Sequence, residues 1–177
     1  MQVKQLLQQI LHQKLRSLVR MPKGYIGVDP GAKGYLCLLV PEDRKIDWCN
    51  LATATPASIY NWILEMNKQY KIVTIMIEDV HSLFGMSAKS NFSFGYNLGL
   101  ITSLCQATEI GVDKVAPKVW QKTIGVKPKS KTIKKDVAQI CEQLYPTANI
   151  RGSRGGLLDG KSDSLMIAHH TFKQFTK

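Results

Sequence analysis

Apolar and polar positions along this chain follow two different periods. From residue 25 to residue 51, three short runs are dense in aliphatic and aromatic residues: Tyr25–Asp29, Tyr35–Val40 and Lys45–Leu51. The stretches between them, Pro30-Gly31-Ala32-Lys33-Gly34 and Pro41-Glu42-Asp43, are turn-forming. Such runs read as strands, and connections this short join antiparallel neighbours. From Pro56 to Lys68 the period changes: Ile59, Trp62, Ile63 and Met66 fall on one helical face, with Pro56 near the start. Ile72–Glu78 is an almost unbroken apolar run, as expected of a central strand buried on both faces.

The pattern then predicts a Gly/Ser-containing loop over 80–92, a helix over about Phe94–Thr108, a short strand at Val112–Ala116 ended by Pro117, and a helix from Lys131 to Leu144. Pro146–Leu158 is irregular, basic and glycine-rich, the composition of a mobile binding loop. The last helix runs from Asp159 to Phe175, with Leu165, Ile167 and Ala168 on its buried face. The expected fold class is α/β: a mixed five-stranded sheet, three antiparallel strands followed by parallel additions, flanked by helices. Ahead of it, residues 1–21 read as an amphipathic helical extension, with Val3, Leu7, Ile10, Leu11, Leu15, Leu18 and Val19 at helical spacing. The division is therefore 1–21 and 22–177. The extension is basic and acid-free, so an organelle-targeting segment competes with a packing helix there.

Four acids break the apolar pattern. Asp29 ends the first strand run and Glu78 ends the central one. Asp159 and Asp163 stand four apart at the mouth of the last helix, on one face. Taken alone, Asp29 before Pro30-Gly31 is an Asx turn and Asp159 is an N-cap. Asp163 lies inside the helix, and Glu78 closes a strand where an unpaired charge is costly. Asp79 points to the opposite face and reads as solvated. If the four converge they repel one another unless a cation stands between them. Oxygen ligands suit Mg²⁺, with Mn²⁺ as a substitute, and a metal-dependent phosphodiesterase is the chemistry such a site performs.

Charge reinforces this. The 177 residues carry a formal net charge of +11 with an ordinary 44% hydrophobic content, one domain's worth of core in a strongly basic protein. No acid precedes Asp29, and the stretch from Lys114 to Lys135 holds eight lysines and no acid. An acidic cluster inside a basic protein fits a nucleic-acid partner, with lysines holding phosphates. Candidate contacts are Lys33, Lys118, Lys122, Lys131, Lys134, Arg151, Arg154 and Lys161, with Ser87, Lys89 and Ser90 in the 80–92 loop. Lys161, inside the acidic motif, is a candidate for the scissile phosphate or a ligand. Trp120 reads as core before base-stacking platform. Cys37, Cys49, Cys105 and Cys141 show no metal-binding spacing and read as reduced core residues, which points to an intracellular setting. No apolar run reaches membrane-spanning length; neither a membrane nor a small-molecule cofactor is expected.

Gly27-Val28-Asp29-Pro30-Gly31, Ile77-Glu78-Asp79-Val80 and Asp159-Gly160-Lys161-Ser162-Asp163-Ser164-Leu165, in this order, resemble the motifs of the RuvC-type Holliday junction resolvases of the ribonuclease H-like superfamily. Phe92-Ser93-Phe94-Gly95 and Val115 to Lys122 resemble further blocks of the phage, bacterial and chloroplast variants. The resemblance covers roughly residues 24–172; the first 21 residues have no counterpart in it. It implies a ribonuclease H-like fold and a crossover junction endodeoxyribonuclease, a homodimer that nicks opposing strands of a four-way DNA junction. Asp29, Glu78, Asp159 and Asp163 are then both catalytic and metal-ligating, with two ions about 4 Å apart. It also makes Phe84 a candidate wedge at the junction centre. The location implied is the cytoplasm with the DNA, or alternatively an organelle. Three other functions compete: a ribonuclease H-like nuclease for another branched DNA or RNA, a non-catalytic nucleic-acid-binding module of the same fold, and an actin-like ATPase. The last needs two such domains.

Overall fold

A computed structural model gives the fold and describes residues 21–80, 85, 87–127 and 131–176. All of the expected 1–21 helix except Met21, and Phe84, lie outside the described residues. Five strands form one sheet: β1 (Lys23–Val28), β2 (Tyr35–Val40), β3 (Lys45–Asn50), β4 (Lys71–Glu78) and β5 (Val112–Val115), in the order β3-β2-β1-β4-β5. β1, β2 and β3 are an antiparallel meander; β4 pairs parallel with β1, and β5 parallel with β4. This is the expected mixed sheet. Among the described residues there are five helices: α1 (Pro56–Gln69), α2 (Ala88–Gln106), α3 (Pro117–Thr123), α4 (Ile133–Leu144) and α5 (Asp159–Phe175).

Strand alternation sends side chains to two separate cores. Ile26, Val28, Leu36, Leu38, Val40, Ile75 and Ile77 pack with Ile59, Ile63 and Met66 of α1 and Ile101 and Cys105 of α2. Cys37, Leu39, Met76 and Val115 pack on the other face with Trp120, Val137, Cys141 and the α5 residues Leu165 to Ala168. Each fully buried aliphatic side chain contributes roughly 1.5–3 kcal/mol. Ile72 and Ile75 share a face despite their odd spacing, because the β1–β4 register slips by one residue between Gly24↔Ile72 and Ile26↔Ile75. All four cysteines are buried and free.

Two elements differ from the expectation. Helix α2 begins at Ala88, not near Phe94, so the segment read as an 80–92 loop is helical from Ala88 onward. Ser87 caps it, its hydroxyl accepting the Ser90 N–H at 3.1 Å. The first turn, Ala88-Lys89-Ser90-Asn91, is mostly exposed and carries no apolar period by which to recognise it. Helix α3 is an addition to the expected elements. It is only seven residues long, starting with Pro117 at a position where a missing N–H costs nothing. The start of α1 is conventional: Thr55 and Ser58 form a capping box ahead of it.

Candidate active site

The β1–β4 register places Val28 opposite Ile77. One residue further, β1 has ended and β4 reaches its last residue, so Asp29 and Glu78 stand side by side at the same edge. Gly27 and Met76, two positions earlier, face α5, so alternation turns both carboxylates toward that helix. Helix α5 can come this close because β1 has a glycine beneath it. A Cβ on Gly27 would stand 2.2 Å from the Ser164 carbonyl oxygen. At the helix start, Gly160 serves the same end: a Cβ there would lie 2.5 Å from the Lys33 carbonyl oxygen and 3.0 Å from Asp29 Oδ2. Asp159 is the first residue of α5, and Leu158 rather than Asp159 is the N-cap.

Asp29 makes the Asx turn and still turns its other oxygen toward α5. Its Oδ1 accepts the Gly31 N–H at 3.0 Å, the Asx turn. Its Oδ2 faces Gly160 on α5. Glu78 is half-buried, and its Oε1 accepts the indole N–H of Trp120 at 2.9 Å. Asp163 is half-buried one turn along α5 from Asp159.

The four carboxylates feel one another's charge. Burial pushes Asp163 up to about 8, with the negative charges of Asp29, Glu78 and Asp159 adding to it and Lys134 opposing. Burial likewise pushes Glu78 up to about 7, against the Trp120 hydrogen bond and with Asp29 adding. Asp29 is raised by burial, opposed by its Gly31 hydrogen bond. Asp159 alone of the four is lowered, because the Lys134 ammonium hydrogen-bonds its Oδ2. Lys134, in the first turn of α4, is therefore the cation beside the cluster, and its own ammonium is held charged by that bond.

Among the described residues no group of three or more His, Cys, Asp or Glu side chains is placed to hold a metal ion. The donor set nevertheless suits a hard divalent ion: every group is a carboxylate, and two are held against ionisation by burial and mutual repulsion, which a cation would relieve.

The basic candidates fall into groups. Lys33 borders the site: with Tyr35, Asn50, Leu158 and Asp159 it lines a cleft of about 390 Å³. Lys131, Lys134 and Lys135 surround an open hollow of about 440 Å³ at the start of α4. Lys118 and Lys122 lie exposed on α3, whose buried side carries Trp120. Ser87, Lys89 and Ser90 occupy the exposed start of α2, where the two serine hydroxyls bond each other at 2.9 Å. The two arginines belong to the 146–158 segment. Arg151 is tied to Glu142 at 2.8 Å, and Arg154 is exposed on its turn. The Lys161 ammonium donates to the Asn149 carbonyl at 3.0 Å and lies 4.4 Å from the Trp48 ring centroid, so it fastens that segment to β3.

Sequence reasoning missed two pairings, Trp120 with Glu78 and Lys134 with Asp159. Pro117 at a helix start gave a signal for α3, but the partners lie 42 and 25 residues apart and no local pattern marks them.

No protein-family model matches the chain, and no curated protein matches it in sequence. Solved structures do resemble it. T. thermophilus RuvC in complex with a Holliday junction substrate aligns over 89% of this chain and 97% of its own, at 16% identity and a TM-score of 0.56. A second Thermus thermophilus RuvC structure aligns over 88% and 98% at 15% identity, again with a TM-score of 0.56. The yeast mitochondrial Holliday junction resolvase aligns over 82% and 75% at 17% identity and a TM-score of 0.44. The strand order, the helices on both faces and the alignment over nearly the whole of the Thermus chains agree: this chain has the RuvC fold, of the ribonuclease H-like type.

Proposed function

We propose that this chain is a divalent-metal-dependent endonuclease that resolves four-way DNA junctions by paired nicks, acting as a two-fold dimer. One observation carries the reading: carboxylates from the ends of two neighbouring parallel strands and from one helix face meet at a single edge of the sheet, where burial and the charges of the other three raise the proton affinity of Asp163. Asp29, Glu78, Asp159 and Asp163 would hold Mg²⁺ or Mn²⁺, two ions per site. When bound, the ions supply Lewis-acid chemistry at a phosphodiester. The residues of the chain do the rest. The Gly31 N–H fixes the orientation of Asp29. Lys33, Lys118, Lys122, Lys131 and Lys134 bind phosphates around the acids, and Ser87, Lys89, Ser90 and Arg154 are further backbone contacts.

The choice of a junction over other nucleic acids has two supports. The T. thermophilus RuvC with this fold is solved with a Holliday junction substrate. A two-fold substrate is also matched by a two-fold dimer with two sites. We place the second protomer on α2, where Phe92 and Tyr96, one turn apart, are 77% and 64% exposed.

The test is cleavage of an immobile and a mobile four-way junction with Mg²⁺, beside linear duplex and RNA–DNA hybrid. Paired nicks in the junctions, abolished in Glu78→Gln and Asp163→Asn while junction binding survives, support the reading. Sedimentation should give two protomers per junction. Preferential cutting of the hybrid, or full activity of Glu78→Gln, overturns it.

A further inference from the structure

The contact between Trp120 and Glu78 is not explained by core packing. Trp120 is 1% exposed, and a phenylalanine would fill much of the same space without bringing an N–H that must find an acceptor. The acceptor it finds is Oε1 of the half-buried Glu78, at 2.9 Å. That bond engages only Oε1, in a carboxylate close enough to Asp29 and Asp163 for their charges to act on one another. At Asp29, Oδ1 takes the Gly31 N–H and Oδ2 faces α5. Each strand-end carboxylate thus has one oxygen anchored by an N–H donor.

The element carrying Trp120 suits this role. Helix α3 has seven residues, and its N-cap, Ala116, makes no side-chain hydrogen bond, so little of its stability is its own. It is attached at two points. Trp120 joins it to the end of β4, and the Thr123 hydroxyl is 2.8 Å from Nδ1 of His170 on α5. Both β4 and α5 carry site carboxylates. The Val115 carbonyl, just before α3, also accepts the Asp79 N–H at 2.8 Å, so the strand leading into α3 is in register with the residue after Glu78.

We infer that Trp120 is a positioning residue for Glu78: its indole N–H fixes the carboxylate in the orientation that receives a divalent cation. The inference rests on the nuclease reading. A hydrogen bond that orients a metal ligand from behind typically carries about 10–100-fold in metal affinity or activity. Trp120→Phe retains an aromatic core residue and removes the donor.

The experiment uses ¹³C,¹⁵N-labelled full-length protein without DNA, in which the Trp120 indole N–H resonance is assigned by through-bond correlation to its own backbone amide. In the metal-free protein, Glu78→Ala should shift that resonance. Mg²⁺ titration of the wild type should shift it as well, and calorimetry should show Mg²⁺ binding to Trp120→Phe at least about tenfold weaker. Thermal unfolding accompanies each variant, and Glu78→Ala supplies the indole readout independently should Trp120→Phe fail to fold. An indole resonance indifferent to both Glu78→Ala and Mg²⁺, in a protein that does bind Mg²⁺, overturns this inference and leaves the nuclease reading standing. A wild-type protein that takes up no Mg²⁺ overturns both.

Discussion

Gly27 of β1 lies beneath Ala168 of α5, so close that a Cβ on Gly27 would come within 2.4 Å of the Ala168 nitrogen. The atoms in the way are backbone, which cannot swing aside as a side-chain tip can. This approach sets α5 against the strand that ends in Asp29, and so sets Asp159 and Asp163 against Asp29. Gly27→Ala should therefore destabilise the fold by about 3 kcal/mol or more, at the upper end of overpacking costs. Because it moves α5 off the strand, cleavage should fall even where the variant remains folded. Urea unfolding and junction cleavage at low temperature check the two effects separately.

Asp163 should make the metal-free protein less stable at neutral pH. Its folded pKa, about 8, lies above the ordinary value of 3.8. A carboxyl raised on folding binds more protons in the folded state, so its contribution worsens as pH rises from about 4 toward 8. Asp163→Asn removes that contribution. In chelator at pH 7.5 the variant should melt higher than wild type, and the difference should shrink as pH falls to 4. Added Mg²⁺ should stabilise the wild type and leave the variant nearly unmoved. A variant no more stable than wild type in chelator at pH 7.5 contradicts the assignment.

Lys134 is ion-paired with Asp159, which the proposed function makes a metal ligand. Lys134→Ala should therefore separate two properties that a simple removal of charge would move together. Mg²⁺ binding without DNA should tighten, because the ammonium no longer competes for the carboxylate. Junction binding should weaken, and the magnitude of its salt slope should drop by about 1, the value for one phosphate no longer neutralised. Calorimetry and binding at several salt concentrations read the two effects.

His169 gives a second pH signature, of the opposite sign. Burial, together with the positive charges of Lys173 and His170, holds its imidazole down to about 4, from an ordinary 6.5. Its Nδ1 is 2.7 Å from the Tyr145 hydroxyl. A histidine depressed on folding favours the neutral form, so its stability contribution is present above about 6.5 and is lost as pH falls toward 4. Between pH 6.5 and 4.5, stability should fall less steeply in His169→Gln than in wild type. Parallel curves for the two proteins would rule this out.

Much of the architecture was legible in the chain. The three hairpin strands, the apolar β4 run, α1 and the full extent of α5 follow from local periodicity and turn residues, because alternation and helical spacing act over a few residues. The start of α2 and the whole of α3 did not. An exposed polar first turn and a seven-residue helix present too little apolar pattern to read, and their ends are fixed by a serine cap and by contacts to other elements.

The candidate site divides along the same line. The sequence by itself determined which carboxylates are out of place: a charge ending an apolar strand, or inside an apolar helix, is costly wherever the chain takes it, and that cost is visible in one dimension. Only the tertiary structure decided what each acid does with its two oxygens. The parallel β1–β4 register brings Asp29 beside Glu78 from distant parts of the chain, Gly27 and Gly160 let α5 close over them, and Trp120 and Lys134 arrive from elements of their own. Hydrogen bonds and charge pairing act over a few ångströms in space irrespective of separation along the chain, so these partners became identifiable only once the sheet had brought them together.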